Sequence, residues 1–217
     1  MRGCFISFEG NEGSGKSTQI QHLAFRLKQS GREVVQIREP GGTDLGEEIR
    51  TLLKYHPKGR SMIPMSELLL IGASRSQLVH EVIKPALNQG KIVLCDRFYD
   101  STRVYQGYAR NMDTVFVNET IDQAVDGVHP DMTILISIPL KMSMERRRTR
   151  HQEEQGSPED RFEQLDETFF RHVHDGYERL VRDFPERVKR VDGTGSVNST
   201  YEQIREVVTS LLDSIQK

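Results

Sequence analysis

The stretch GNEGSGKS, Gly10 to Ser17, constrains the fold more than any other part of the chain. It fits G-x-x-x-x-G-K-[ST], with the apolar run CFISF (4–8) before it and the amphipathic run KSTQIQHLAFRLKQSG after it. Such a loop works only between a strand and a helix. Its glycines let the backbone curl so that N–H groups converge on an anion, and the helix adds its positive N-terminal end. Gly10, Gly13 and Gly15 serve that curl, and Asn11, Glu12, Ser14 and Thr18 complete the loop read as the ATP-binding segment. Lys16 supplies a mobile cation for the β and γ phosphates, and Ser17 a hydroxyl for Mg²⁺.

Beyond the loop, short apolar runs alternate with longer helical patterns. EVVQI (33–37), KIVLC (91–95), MTILISI (132–138) and RVKRVD (187–192) join CFISF as five strands, and the middle three of these are apolar enough to be covered on both faces. In the first helix Ile20, Leu23 and Leu27 share a face and Gly31 follows as a C-cap. The long apolar segment 66–90 carries Pro85 as a kink, and further helices are expected near 44–54, 114–126, 140–151, 159–183 and 199–216. Helices between successive strands mean right-handed crossovers. The expectation is one α/β domain over 1–217: a five-stranded parallel sheet flanked by helices, with ligands at the carboxyl ends of its strands.

Composition excludes several classes. A net charge of −2 argues against a nucleic-acid binder with a basic face, and no apolar run approaches the ~20 residues that cross a bilayer. The loop begins too close to the N-terminus to leave room for a signal peptide. Cys4 and Cys95 both lie in apolar strands and read as free, reduced, buried thiols of a cytoplasmic protein.

The strand KIVLC delivers Asp96, a second Mg²⁺ position, and Arg97 follows it directly as a permanent cation where phosphates converge. An Asp there could instead merely cap the next helix. No N-K-x-D tetrapeptide reads guanine, and a motor ATPase would carry a second acid where Arg97 stands. Transfer to a second substrate, with water kept out, is the better fit. The charged stretch ERRRTRHQEEQGSPEDR (145–161) has almost nothing to bury, and alone would read as a solvated helix end.

FEGNEGSGKST, REPGGTDLGEEIR (38–50), SELLLIGASRSQLVHEVIKPAL (66–87), DRFYDSTRVYQG (96–107) and PDMTILISIP (130–139) together resemble the bacterial thymidylate (dTMP) kinases, in that family's order. The resemblance implies a single-domain P-loop kinase using ATP and Mg²⁺ to phosphorylate dTMP, as a homodimer, with 145–161 as a mobile lid. It places Glu12 by the sugar 3′-hydroxyl, Arg75 on the base, Arg50 and Arg97 on the dTMP phosphate, Thr102 at the pyrimidine edge and Tyr105 against the deoxyribose. Because Gly13 leaves the loop without an arginine, the lid should supply one; Arg147 and Arg150 share a helix face, with Arg146, Arg148 and Arg161 also available. The loop VDGTGSV (191–197) falls at the family's adenine loop.

Departures from the family pattern concern the base. Ile71 stands where Phe is usual, and Ser74 replaces an Asp that would orient Arg75. Losing a stacking ring costs about 0.5–1.5 kcal/mol, and a pocket arguing through one methyl group discriminates only ~10- to 200-fold, so dUMP is a second expected substrate. Ser137 and Arg103 are also atypical. A kinase for another deoxynucleoside monophosphate, or a nucleotide-binding regulator, are the alternative readings.

Overall fold

In a computed structural model, which describes residues 3–57, 59–153, 160–162 and 165–215 (the side chains of 60 and 150–153 excepted), five strands form one sheet. These are β1 (Cys4–Glu9), β2 (Val34–Arg38), β3 (Ile92–Asp96), β4 (Met132–Ser137) and β5 (Val188–Asp192), in the order β2-β3-β1-β4-β5 and all parallel. Every carboxyl end therefore points to one edge. Between the strands run α1 (Lys16–Gln29), α2 (Asp44–Tyr55), α3 (Pro64–Leu78), α4 (Lys84–Asn88), α5 (Tyr99–Thr102), α6 (Thr114–Val125), α7 (Leu140–Glu153) and α8 (Glu167–Asp183), with α9 (Val197–Ile215) last. One face of the sheet packs on α1 and α9 through Leu23, Leu27, Tyr201 and Ile204, the other on α3 and α6 through Leu68, Leu78, Val117 and Ile121.

Local chemistry explains where the elements differ from the sequence pattern. Pro85 has no N–H to offer the carbonyl four residues back, and the helix widens over Val79–Ile83 into a π-helical turn that joins α3 to α4. The expected helix over 159–183 starts only at Glu167, where the Asp166 carboxylate accepts the Phe169 N–H at 2.8 Å. Upstream, the Arg161 N–H is bonded to the Lys54 carbonyl at 2.9 Å instead. A helix at 99–109, unexpected from the sequence, starts as α5 and continues as a π-helical segment over Arg103–Ala109. Part of the expected lid, 154–159, lies outside the described residues.

That unexpected helix is tied down by charge. Asp100, fully buried, accepts from Arg187 Nη1 at 2.6 Å and Nη2 at 2.9 Å, and from Thr133 Oγ1 of β4 at 2.9 Å. Truncating Arg187 to alanine leaves a buried carboxylate short of its main partner. The expected loss is about 3 kcal/mol, near the lower end for broken buried pairs because Arg103 still reaches Asp100 at 3.1 Å. A lower urea midpoint at unchanged slope checks it; an unshifted midpoint contradicts it.

Candidate active site

The phosphate loop leaves β1 and wraps back on itself. Gly10 has φ 136, and a Cβ there would lie 2.4 Å from the Ile136 carbonyl oxygen, so only glycine fits beside β4. The Lys16 ammonium donates to the Gly10 carbonyl at 3.0 Å and the Asn11 carbonyl at 3.1 Å, spanning the loop. Burial, then the nearby Arg97 cation, lowers Lys16 to about 8. The Ser17 hydroxyl donates to Asp96 Oδ2 at 2.7 Å. A hydroxyl and a carboxylate side by side are hard oxygen donors suited to Mg²⁺. Among the described residues no group of three or more His, Cys, Asp or Glu side chains is placed to hold a metal ion, so the cation would take its remaining ligands from phosphate and water.

Above the loop opens a cleft of about 820 Å³, lined by Glu12, Gly13, Gly15, Lys16, Ser17, Thr18, Asp96 and Arg97 on one side and by Arg50, Ile71, Arg75, Thr102 and Tyr105 on the other. The residues assigned to two different substrates thus meet in one cavity. Gly10, Asn11 and Ser14 do not line it, and the Asn11 amide is bonded to His174 Nδ1 at 2.9 Å. Arg97 sits at φ 68, a costly backbone for a non-glycine residue, held by its N–H on the Phe8 carbonyl at 2.9 Å. Its guanidinium donates to Tyr177 at 2.6 Å and Ser101 at 3.1 Å and lies over the Tyr105 ring. Burial opposes its charge, but Tyr105, Tyr177, Glu9 and Asp96 raise it well above the usual arginine range. Arg50, on α2, donates to the Pro40 carbonyl at 2.9 Å, and burial together with nearby Arg38 pushes its pKa down.

Arg75 is the largest surprise. Only 2% exposed, it gives Nε and Nη2 to the Glu39 carboxylate at 2.9 and 2.6 Å, and Nη2 also to Thr102 Oγ1 at 3.0 Å. The sequence suggested that Ser74 cost Arg75 its orienting acid. The acid is Glu39, just past the end of β2, while Ser74 Oγ accepts the Gly41 N–H at 3.1 Å. Glu39 and Glu9 escaped the sequence reading although both lie inside the quoted motifs; a carboxylate closing an apolar strand was the available signal. Arg103 bonds Asn118 and Asp100, and Ser137 bonds Glu178 and Arg190, and neither lines the cleft.

The first half of α7 is attached to the loop. Ser143 Oγ donates to the Glu12 carbonyl at 2.7 Å and Arg146 Nη1 to the Gly13 carbonyl at 2.9 Å. Arg147 stacks on Phe170, a cleft residue, with its guanidinium 3.9 Å from the ring centre. The Arg150 side chain lies outside the described residues. Arg161 is committed elsewhere: its guanidinium meets Glu67 at 2.7 Å and the Leu53 carbonyl at 3.0 Å. The 191–197 loop packs beside α1, with Gln19 donating to the Val197 carbonyl at 2.9 Å.

A family model described as thymidylate kinase matches residues 8–204. A thymidylate kinase of Geotalea uraniireducens (strain Rf4) is 43% identical over 210 residues, covering 97% of this chain and 98% of that one. One of Syntrophotalea carbinolica is 45% identical over 200 residues, 92% of each. The crystal structure of thymidylate kinase from Ehrlichia chaffeensis superposes with a TM-score of 0.76 at 33% identity, over 96% of this chain and 100% of that one.

The lowered Lys16 pKa has a kinetic consequence. The free protein loses this cation above about pH 8, so kcat/KM for ATP is expected to fall on that side. Bound phosphates restore the charge, which moves the limb in kcat to higher pH. A kcat/KM profile flat through that range would show instead that Lys16 keeps its proton there.

Proposed function

The chain belongs to the thymidylate kinase family, and on that premise we infer that it transfers the γ-phosphoryl group of ATP to dTMP, giving ADP and dTDP for DNA precursor synthesis. The observation that carries this reading is the single cleft in which the anion cradle around Lys16 and the buried Arg75–Thr102 pair face each other across Arg97. Direct in-line transfer needs little covalent help from protein, because the acceptor phosphate is already largely ionised at neutral pH. What the chain supplies is position and charge. Lys16 and the loop N–H groups hold the donor phosphates, Arg97 and Arg50 hold the acceptor phosphate, and Arg147 or Arg150 closes over the transferring group. Ser17 and Asp96 would hold Mg²⁺, which when bound neutralises charge on the phosphates. Glu12 takes the sugar hydroxyl, Tyr105 covers the deoxyribose, and Thr102 and Ile71 complete the base site. Segment 145–161 acts as the lid, rooted on the loop by Ser143 and Arg146.

The deciding measurement is ADP release with dTMP, dUMP, dGMP, dCMP and UMP as acceptors. Preference for dTMP, with dUMP second, is expected, and each of Lys16→Ala and Arg97→Ala is expected to abolish turnover with an unchanged circular-dichroism spectrum. Near-normal activity in either variant would falsify its role.

No helix among the described residues is long and apolar enough to cross a membrane, and a cytoplasmic setting suits the free buried thiols Cys4 and Cys95. Homodimerisation is supported by the packed pair α3 and α6, whose first two turns expose Met65, Leu69, Val115 and Phe116, with Ile63 just before α3. Placing a charge there by Leu69→Asp should convert a dimer to a monomer in sedimentation velocity. A variant that sediments as the wild type does places the interface elsewhere.

A further inference from the structure

Asn11 stands in the first turn of the phosphate loop, and its backbone decides where the loop's cation rests. The Asn11 carbonyl accepts from the Lys16 ammonium at 3.1 Å and from the Ser14 N–H at 3.2 Å. Gly10 precedes it at φ 136 and Gly13 follows at φ 74, so local backbone preference alone does not hold this turn. Its side chain supplies a hold from outside the loop. Asn11 is 7% exposed, and its amide nitrogen lies 2.9 Å from His174 Nδ1 on α8. An amide nitrogen only donates, so Nδ1 is the acceptor. The amide oxygen is buried and meets no donor among the described residues, which leaves His174 as the side chain's one partner there. A donor buried to this degree is costly to leave unpaired.

The same helix holds the other half of the reaction. Tyr177, one turn after His174 on the same face of α8, accepts from Arg97 Nη1 at 2.6 Å and donates to Glu9 at 3.0 Å. Thus α8 grips the donor loop at one turn and the acceptor-side arginine at the next. Neither Asn11 nor His174 lines the cleft, so His174 can reach the reaction only through the loop. We propose that His174 is a positioning residue for phosphoryl transfer: by accepting from Asn11 it fixes the phosphate loop to α8, and so sets the separation between the phosphates held by Lys16 and the acceptor phosphate held by Arg97. The inference rests on the reading that donor and acceptor phosphates meet between those two cations. In-line transfer tolerates little error in that separation, and a misplacement of about 1 Å costs on the order of 10²-fold in rate.

The chemistry at position 174 is restrictive. Lysine or arginine there has no lone pair to offer the amide. A carboxylate accepts well but sets a negative charge against the loop that receives a triphosphate. An imidazole nitrogen accepts without that charge.

Steady-state kinetics with ATP, dTMP and saturating Mg²⁺ on His174→Ala, His174→Asn, Asn11→Ala and the double alanine variant separate this role from a merely structural contact. His174→Ala is expected to lower kcat by about 10-fold or more. KM for dTMP should stay within about twofold of wild type, since Arg50, Arg75 and Arg97 keep their partners. His174→Asn, whose Oδ1 falls near the place of Nδ1, should recover most of kcat. Removing His174 should cost little once the Asn11 amide is gone, because the two act through one bond. A folded His174→Ala enzyme with wild-type kcat overturns the proposal, as do losses that multiply in the double variant. A KM for dTMP that rises as kcat falls overturns it too, because the effect would then run through Arg97. If His174→Ala does not fold, Asn11→Ala carries the test from the other side of the bond, and wild-type kcat in that variant is equally fatal. Wild-type protein that binds ATP but transfers nothing to dTMP would instead overturn the functional reading beneath.

Discussion

A carboxylate with no exposed surface is tolerable only when its lone pairs are taken, and Glu9 at the end of β1 meets that condition through four donors. It accepts from the Phe98 N–H at 2.9 Å, the Ser101 N–H at 3.2 Å, the Ser101 hydroxyl at 2.6 Å and the Tyr177 hydroxyl at 3.0 Å. Three separate pieces of chain are pinned at one point: the start of the phosphate loop, the turn after β3, and α8. Arg97, 3.9 Å from the same carboxylate, is thereby aimed along the cleft although its backbone is strained. Burial raises the Glu9 pKa and Arg97 opposes that rise. Loop, Arg97 and α8 therefore stay in register together.

Around the cleft, cations are held apart by acids placed behind them. Arg38 is bonded to Glu47 at 2.8 Å and Lys54 to Asp160 at 2.6 Å, while Glu67 gathers Gln106, Arg110 and Arg161. Glu67 joins α3, the π-helical segment 103–109 and the 160–162 turn. Such pairing offsets the repulsion among cations that share one cleft. The cost of concentrating positive charge is thus largely met before any nucleotide arrives.

Much of this was legible in the sequence, and what was not follows from physical causes. Strand positions and their parallel direction came through because apolar runs separated by helical patterns require crossovers. The loop residues were legible because their chemistry is local: glycine geometry, one lysine and one hydroxyl. The helix at 99–109 was not. Its residues Arg103, Tyr105 and Tyr108 look polar or surface-like, and they become helical because Asp100, Arg187 and α8 hold them there. The partner of Arg75 was misassigned for a related reason. A sequence neighbour, position 74, seemed the natural place for an acid, yet the fold sets Arg75 of α3 against Glu39, just past β2 and far off in chain order. The limits of the 159–183 helix were missed because the Asp166 cap competes with a charged stretch that favours helix equally well.

The placement of β1 has a consequence for how the molecule comes into being. β1 lies at the centre of the sheet, with Phe5 opposite Val93 and Ile6 opposite Met132, and Asn11 reaches His174. During synthesis the glycine-rich loop leaves the ribosome well before the strands on both its sides and the helix behind it. Until then it is an unsupported loop with no anion site. Pairings this distant in sequence close slowly, because loop entropy must be spent before contacts return it. Nucleotide can therefore grip only the completed chain, and by mass action a cell rich in it draws the last stage of folding toward the finished protein.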